Sequence, residues 1–360
     1  DEDGIVLEED GYGESPPAEA LDGVSEDACQ KLPDEKMGSL GLHLDPRFEE
    51  SEVPVKCSNG EPCCVGIDEA GRGPVLGPMM YGAAYWPISE KEAIDKLGFN
   101  DSKQLKDKDR ERFLKIIKAE SDRIGSVLCE ISAECISTNM MLRNPVSLNK
   151  LSHDAAINMI KRIMDKGVNV AEIYVDAVGN CDIYADMLRR RFPNTTVTVE
   201  AKADGKYKVV GAASIVAKVA RDHSLKDWVF REQYRQDGTP IPSSKCLQIP
   251  NCSGYPGDAK TVEWLHKNSN PIFGYPSIVR FSWKTTRNLL GELDDDLDSV
   301  EKKKKDTMRE ENNHPEFCKV EWAYEESEAA TPKLAAFLNK TRKRPRYFQE
   351  RKLQRVVKFI

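Results

Sequence analysis

Cys63-Cys64-Val65-Gly66-Ile67-Asp68-Glu69-Ala70-Gly71-Arg72-Gly73-Pro74 is the stretch on which the fold turns. Apolar and small residues end in two adjacent carboxylates, and a glycine-flanked arginine follows at once. An apolar run of this length reads as a buried strand, and Met79 to Trp86 reads as its neighbour. Carboxylates at the carboxyl end of a core strand occupy the edge of an α/β sheet where ligands gather.

Working outward, helical spacing of Phe113, Ile116 and Ile117 predicts a helix over 107–120, followed by a strand over 124–131. A long helix over 147–166 turns Leu148, Leu151, Ala155 and Ile163 towards a core. A short strand, 171–176, ends in Asp176. A helix over 184–191, a strand over 196–200 and a helix over 209–228 complete the pattern. Strands that first pair and then alternate with helices predict an α/β fold with a mixed central sheet. Residues 254–290 predict a smaller, mainly helical C-terminal region, with Trp264, Phe273, Tyr275, Phe281 and Trp283 capping a core.

Charge divides the chain. Residues 1–60 carry 17 acidic and 4 basic side chains and predict a mostly disordered acidic extension. Residues 61–230 and 231–290 form the folded centre, 291–330 a charged linker, and 331–360 a basic tail with 9 basic residues against 1 acidic from 340 onward. The ten cysteines lack the regular spacing of a disulfide framework, and no apolar run approaches the length of a membrane span. Asn194, Asn251 and Asn339 therefore read as chance matches to the glycosylation pattern. Cys57, Cys63, Cys246 and Cys252 could supply four thiolates to zinc, but their spacing is wider than in zinc ribbons.

Four acids stand out: Asp68, Glu69, Asp176 and Asp222. Together they would repel one another unless cations neutralised them, and oxygen-only ligands favour Mg²⁺ or Mn²⁺ over zinc. Two such ions suit phosphodiester hydrolysis. Neighbouring strand residues point to opposite faces, so Asp68 and Glu69 can share a site only near the strand's end. Ser214, Lys218 and Asp222 follow at i, i+4 and i+8 in an Ala-rich helix, a polar stripe better suited to a substrate than to bulk solvent. Arg72 between Gly71 and Gly73 can approach a phosphate closely.

These motifs resemble the type 2 ribonucleases H, and their eukaryotic catalytic chains in particular. The resemblance spans about 63–290. It continues through Asp101-Ser102-Lys103, Ser152-His153-Asp154, Val175-Asp176, Lys202-Ala203-Asp204, the run from Ala212 to Asp222, Gly254-Tyr255-Pro256 and Phe281-Ser282-Trp283. It implies a ribonuclease H-like fold and a two-Mg²⁺ site on Asp68, Glu69, Asp176 and Asp222, with Mn²⁺ as the alternative ion. It further implies that Gly71, Arg72 and Gly73 read the ribonucleotide 2′-hydroxyl and that Tyr255 stacks on the following deoxyribose. Lys103, Lys202 and Lys218 would contact phosphates, and two non-catalytic subunits would complete a heterotrimer.

Between Trp228 and Gly254 the chain runs longer than the family pattern. The basic run Lys340–Arg346 fits a nuclear-import signal or a nucleic-acid patch. Arg346-Tyr347-Phe348 fits the docking of the partner subunits. Leu334–Leu338 has the spacing of a sliding-clamp peptide, but Thr331 stands where glutamine is expected. The rival readings are a strand-transfer enzyme with a similar acidic site and a non-catalytic hybrid-binding subunit. The first lacks the Gly71–Gly73 and Tyr255 pairing, and the intact acids speak against the second.

Overall fold

The computed structural model describes residues 31–99, 106–177, 179–241, 247–249, 251–270 and 273–290. Six strands form one mixed sheet: β1 (Arg47–Glu50), β2 (Cys63–Ala70), β3 (Met79–Pro87), β4 (Gly125–Ile131), β5 (Val170–Asp176) and β6 (Thr196–Glu200). Their order is β1-β4-β3-β2-β5-β6. The first four pair antiparallel, while β2–β5 and β5–β6 are parallel. The helices in chain order are α1 (Lys91–Asp95), α2 (Asp107–Ala119), α3 (Ala133–Met140), α4 (Leu148–Asp165), α5 (Cys181–Arg191), α6 (Ala203–Lys206) and α7 (Lys208–Lys226). Ser147 caps α4 and the Asn180 side chain caps α5, so both helices start where the chain supplies an oxygen for orphan amides.

The pleat sorts the strands into two cores. Cys63, Val65 and Ile67 of β2 pack with α3, α4 and α5 on one face. Cys64 on the other face packs with the helices α1, α2 and α7. Alternation then carries Gly66 and Asp68 to the α7 face and Glu69 to the opposite one. On β5, Ile173 and Val175 face the first core and Tyr174 the second, which puts Asp176 on the same face as Asp68.

Two glycines let α7 lie against this face. A Cβ on Gly66 would stand 2.3 Å from the Val209 carbonyl carbon and oxygen, and one on Gly82 2.2 Å from the Ala213 oxygen. No side chain fits either position without moving backbone.

Residues 31–60 depart from the expected disorder. A 3-10 segment covers Asp34–Leu40, and β1 extends the sheet along β4. Phe48, Val53 and Cys57 sink into the first core. Glu50 bridges Arg162 at 2.7 Å and Lys166 at 2.5 Å on α4. A few anchors among many acids suffice to order the segment, which composition averages away.

In the C-terminal region, α8 (Ala259–Lys267) and α9 (Lys284–Leu289) carry the helical character, joined by turns and isolated bridges such as Leu76 to Val279. Val75, Leu76, Phe230, Leu265, Tyr275, Ile278 and Val279 form its core, against which Trp264, Phe281 and Trp283 pack. Phe273 is the exception, at 79% exposure. Among the described residues, no helix is long and apolar enough to cross a membrane.

Replacing Gly82 by alanine forces α7 off β3 and is expected to cost at least about 1–3 kcal/mol in denaturant unfolding. The same change at Gly257, where an added Cβ meets nothing within 4 Å, is the control.

Candidate active site

Parallel pairing of Ile67 with Val175 sets Asp68 and Asp176, one residue further on, side by side at the carboxyl ends of β2 and β5. Asp68 is buried at 2% exposure. Its Oδ1 accepts the Glu69 amide at 2.7 Å, while Oδ2 is buried without a hydrogen-bond partner of good geometry. Burial, reinforced by the Asp176 charge, pushes the Asp68 carboxyl up to about 7 despite the nearby Ser214 hydroxyl and Lys218 ammonium. A carboxylate in that position has a charge the protein does not fully offset. This is the environment that a bound cation satisfies.

The next acid along the chain is brought in by an unusual turn. After β6, Lys202 adopts left-handed φ 57°, the one non-glycine with positive φ among the described residues. That turn folds α6 back so that the Ala203 amide donates to Asp176 Oδ1 at 2.8 Å. Asp204 follows directly and is buried at 2% exposure. A strained backbone beside buried carboxylates is typical of a functional site.

Asp222 is placed differently. Its side chain is 46% exposed, and its Oδ2 accepts from Arg110 on α2 at 3.1 Å. It sits two turns beyond Ser214, about 12 Å along the helix axis. The expectation that Asp222 joins the acidic cluster is therefore corrected: Asp204 lies with Asp176, and Asp222 faces α2. Glu69 lies on the face opposite Asp68, where its charge reaches the hydroxyls of Tyr81 and Tyr184. Among the described residues, no three acid, His or Cys side chains close into a preformed metal cage. Asp68, Asp176 and Asp204 could hold a hard cation once they draw together on it. The suggested zinc site has no such basis: Cys57 and Cys63 are buried in the first core, Cys252 packs in the C-terminal one, and Cys246 lies outside the described residues.

The loop 71–73 is fixed from behind. Arg280, fully buried, donates to the carbonyl oxygens of Gly71 at 2.5 Å, Arg72 at 2.9 Å and Gly77 at 2.8 Å. Burial, then repulsion from Arg221 and Arg72, pushes its guanidinium pKa down to about 9, so it remains a cation at neutral pH. Its guanidinium also lies over the Trp283 ring at 4.8 Å, and the Trp283 indole donates to the Gly73 carbonyl at 3.0 Å. Arg72 reaches across to Asn149 and Ser152 on α4. On the outer side, a Cβ on Gly73 would stand 2.8 Å from the Tyr255 ring, which is half exposed. Lys218 Nζ donates to Ser214 Oγ at 3.0 Å. Lys202 is exposed at the rim, and Lys103 lies outside the described residues.

The ribonuclease HII family model matches residues 65–286, which contain every element just described. This chain belongs to the ribonuclease HII family. It is 45% identical over 240 residues to the A-subunit of ribonuclease H2 of Bos taurus, covering 67% of this chain and 77% of that protein. Against the Homo sapiens and Arabidopsis thaliana proteins of the same name the identities are 43% and 42%, covering 69% and 68% of this chain and 79% of each of those proteins. Among solved structures, ribonuclease H2 from Pyrococcus horikoshii is 30% identical with a TM-score of 0.48, over 63% of this chain and 97% of that one. As a ribonuclease H, the chain is a metal-dependent phosphodiester hydrolase.

Two contributors escaped sequence reasoning. Asp204 was visible inside Lys202-Ala203-Asp204, and the signal was its place just past the end of β6, beside the end of β5. Arg280 sits one residue before Phe281-Ser282-Trp283, and only the fold shows that it is buried against the 71–73 loop. Ser152-His153-Asp154 is no catalytic relay. Ser152 donates to the Leu148 carbonyl at 2.8 Å, His153 stacks on Tyr184 at 4.1 Å, and Asp154 pairs with Lys150.

In a ribonuclease H of this geometry, Asp68→Asn, Asp176→Asn and Asp204→Asn each lower turnover by at least about 100-fold, since losing even a group that only orients a metal ligand costs about 10–100-fold. Asp222→Asn stays within several-fold of the parent in the same cleavage assay. Arg280→Ala strands three carbonyls and is expected to destabilise by roughly 3–5 kcal/mol. Arg280→Lys recovers only part of this in thermal unfolding, because an ammonium lacks the guanidinium fork.

Proposed function

We propose that this chain is the catalytic subunit of a ribonuclease H2. It hydrolyses the RNA strand of RNA/DNA hybrids and cuts on the 5′ side of single ribonucleotides embedded in duplex DNA, leaving 3′-hydroxyl and 5′-phosphate ends. The observation that carries the proposal is the contact between Gly73 and Tyr255, a few residues along the chain from the buried Asp68–Asp176 pair. A glycine loop brings backbone close to a sugar edge, and a half-exposed aromatic ring beside it takes the next sugar. That pair detects the step from ribose to deoxyribose, and the 2′-hydroxyl is the group by which RNA differs from DNA.

Asp68, Asp176 and Asp204 would hold Mg²⁺, two ions in the working enzyme, with Mn²⁺ able to replace it; Glu69 is a further ligand on the strength of the family resemblance. Bound there, the ions supply an activated water and charge stabilisation for the leaving oxygen. The protein's own groups do the rest. The loop at 71–73 orients the ribose, with its carbonyls held by Arg280 and Trp283. Ser214, Lys218, Lys202 and Lys103 bear on the phosphates. The Asp68 carboxyl releases its proton as the cation binds.

The relatives are each named as one lettered subunit of ribonuclease H2, which supports a heterotrimer with two non-catalytic subunits. The basic tail from Lys340 to Arg346 supports action in the nucleus, in ribonucleotide removal during replication and repair.

The test is cleavage of a duplex with one ribonucleotide and of a long hybrid, with and without the partner subunits. Chelation of divalent ions abolishes both activities, and Mg²⁺ restores them. Tyr255→Ala loses about tenfold or more on the single ribonucleotide, the worth of one stacking contact, and clearly less on the long hybrid. Equal losses on both would remove Tyr255 as the junction sensor.

A further inference from the structure

Freed from the acidic cluster, Asp222 has another task. We infer that Asp222 is a positioning residue that sets the register of α2 on α7 through its ion pair with Arg110. Arg110 is only 15% exposed and is held between Asp107 of its own helix at 2.5 Å and Asp222 at 3.1 Å. The next residue on each helix repeats the arrangement, because His223 pairs with Glu111. Successive residues on a helix point about 100° apart. Two consecutive cross-helix pairs, 110 with 222 and 111 with 223, therefore fix both the translation and the rotation of α2 against α7.

The rest of that interface cannot do this. Phe113 and Ile117 of α2 share a core with Val209, Val216 and Val219 of α7. Apolar packing is non-directional, so it holds the helices together without strongly selecting their register. Charged pairs select register at little gain in stability, as exposed pairs generally do.

The register matters because α7 is also the frame of the catalytic site. Ser214 and Lys218 stand beside Asp68, and Arg221 lies against Gly71, where an added Cβ would meet its Nε at 2.0 Å. Directly after Arg221, Asp222 refers α2 to the same frame. In the chain, α2 follows closely on Asp101-Ser102-Lys103, the motif expected to contact phosphate. The inference rests on the proposed active site only for its kinetic consequence. Displacing α2 weakens binding of the duplex and leaves the chemical step nearly intact.

The experiment uses the full chain with Arg110→Asp, Asp222→Arg, the double exchange, and Asp222→Asn. Steady-state cleavage of a duplex with one ribonucleotide in Mg²⁺ gives KM and kcat, and hydrogen exchange reports on α2. Each single reversal is expected to raise KM about tenfold with kcat within about threefold, since a displaced helix spoils positioning rather than chemistry. Amides of α2 should exchange faster in both. The double exchange restores KM and protection, and Asp222→Asn, which can still accept from Arg110, stays close to the parent. A double exchange as impaired as the single reversals overturns the inference, and so does a collapse of kcat in Asp222→Asn like that in Asp68→Asn. Should Asp68→Asn itself remain active, the active-site assignment fails, while α2 protection still decides the register claim.

Discussion

The close approach of α7 to β2 and β3 is the constraint on which the site depends. Gly66 and Gly82 leave room for the helix backbone itself, with Val209 and Ala213 seated where side chains would otherwise stand. Everything polar on α7 is placed by that contact. Ser214 and Lys218 come to Asp68, Arg221 to the glycine loop, and Asp222 to α2. The Ala-rich composition of the helix is the other half of the same fit, since bulk at Ala212, Ala213 or Ala217 would lift it away.

A second consequence is electrostatic. The close-packed helix removes water from Asp68, and its carboxyl then resists ionising beside Asp176. An isolated protein with such a pair is under tension that a divalent ion relieves, so affinity for the ion is built from burial as well as from ligand number. Lys218 contributes a fixed positive charge at the same point, bonded to Ser214 rather than to an acid, which leaves it available to a phosphate oxygen as well.

Much of this was legible in sequence, for stated reasons. The strands β2, β3, β5 and β6 and the helices α4 and α7 appear where apolar runs and helical spacing place them, because both faces of the sheet are buried and the pattern is strong. The same logic failed for β1, a four-residue edge strand whose burial depends on Phe48 and on ion pairs from α4. It failed for Phe273, where an aromatic in a core-like stretch faces outward. The most instructive miss is the exchange of Asp222 for Asp204. Helical spacing links Asp222 to Ser214 and Lys218, but a stripe two turns long reaches past the site. Asp204 carries no periodic signal. It arrives through the left-handed turn at Lys202, a tertiary feature that one-dimensional spacing does not encode.

Specificity depends on the arginine loop. A loop that must distinguish a hydroxyl from a hydrogen has to be stiff, because a mobile loop would adapt to either sugar. Stiffness here comes from carbonyls bound inward: Gly71, Arg72 and Gly77 to Arg280, and Gly73 to Trp283. A buried cation is costly unless its hydrogen bonds are met, and in this site the loop's carbonyl oxygens meet them. The cation and the loop therefore stabilise each other, and neither is well placed alone. That mutual dependence ties the C-terminal region to the sheet, so the part of the chain that carries Tyr255 cannot drift from the part that carries the acids. Selectivity and catalysis share one rigid frame because Arg280 spans both.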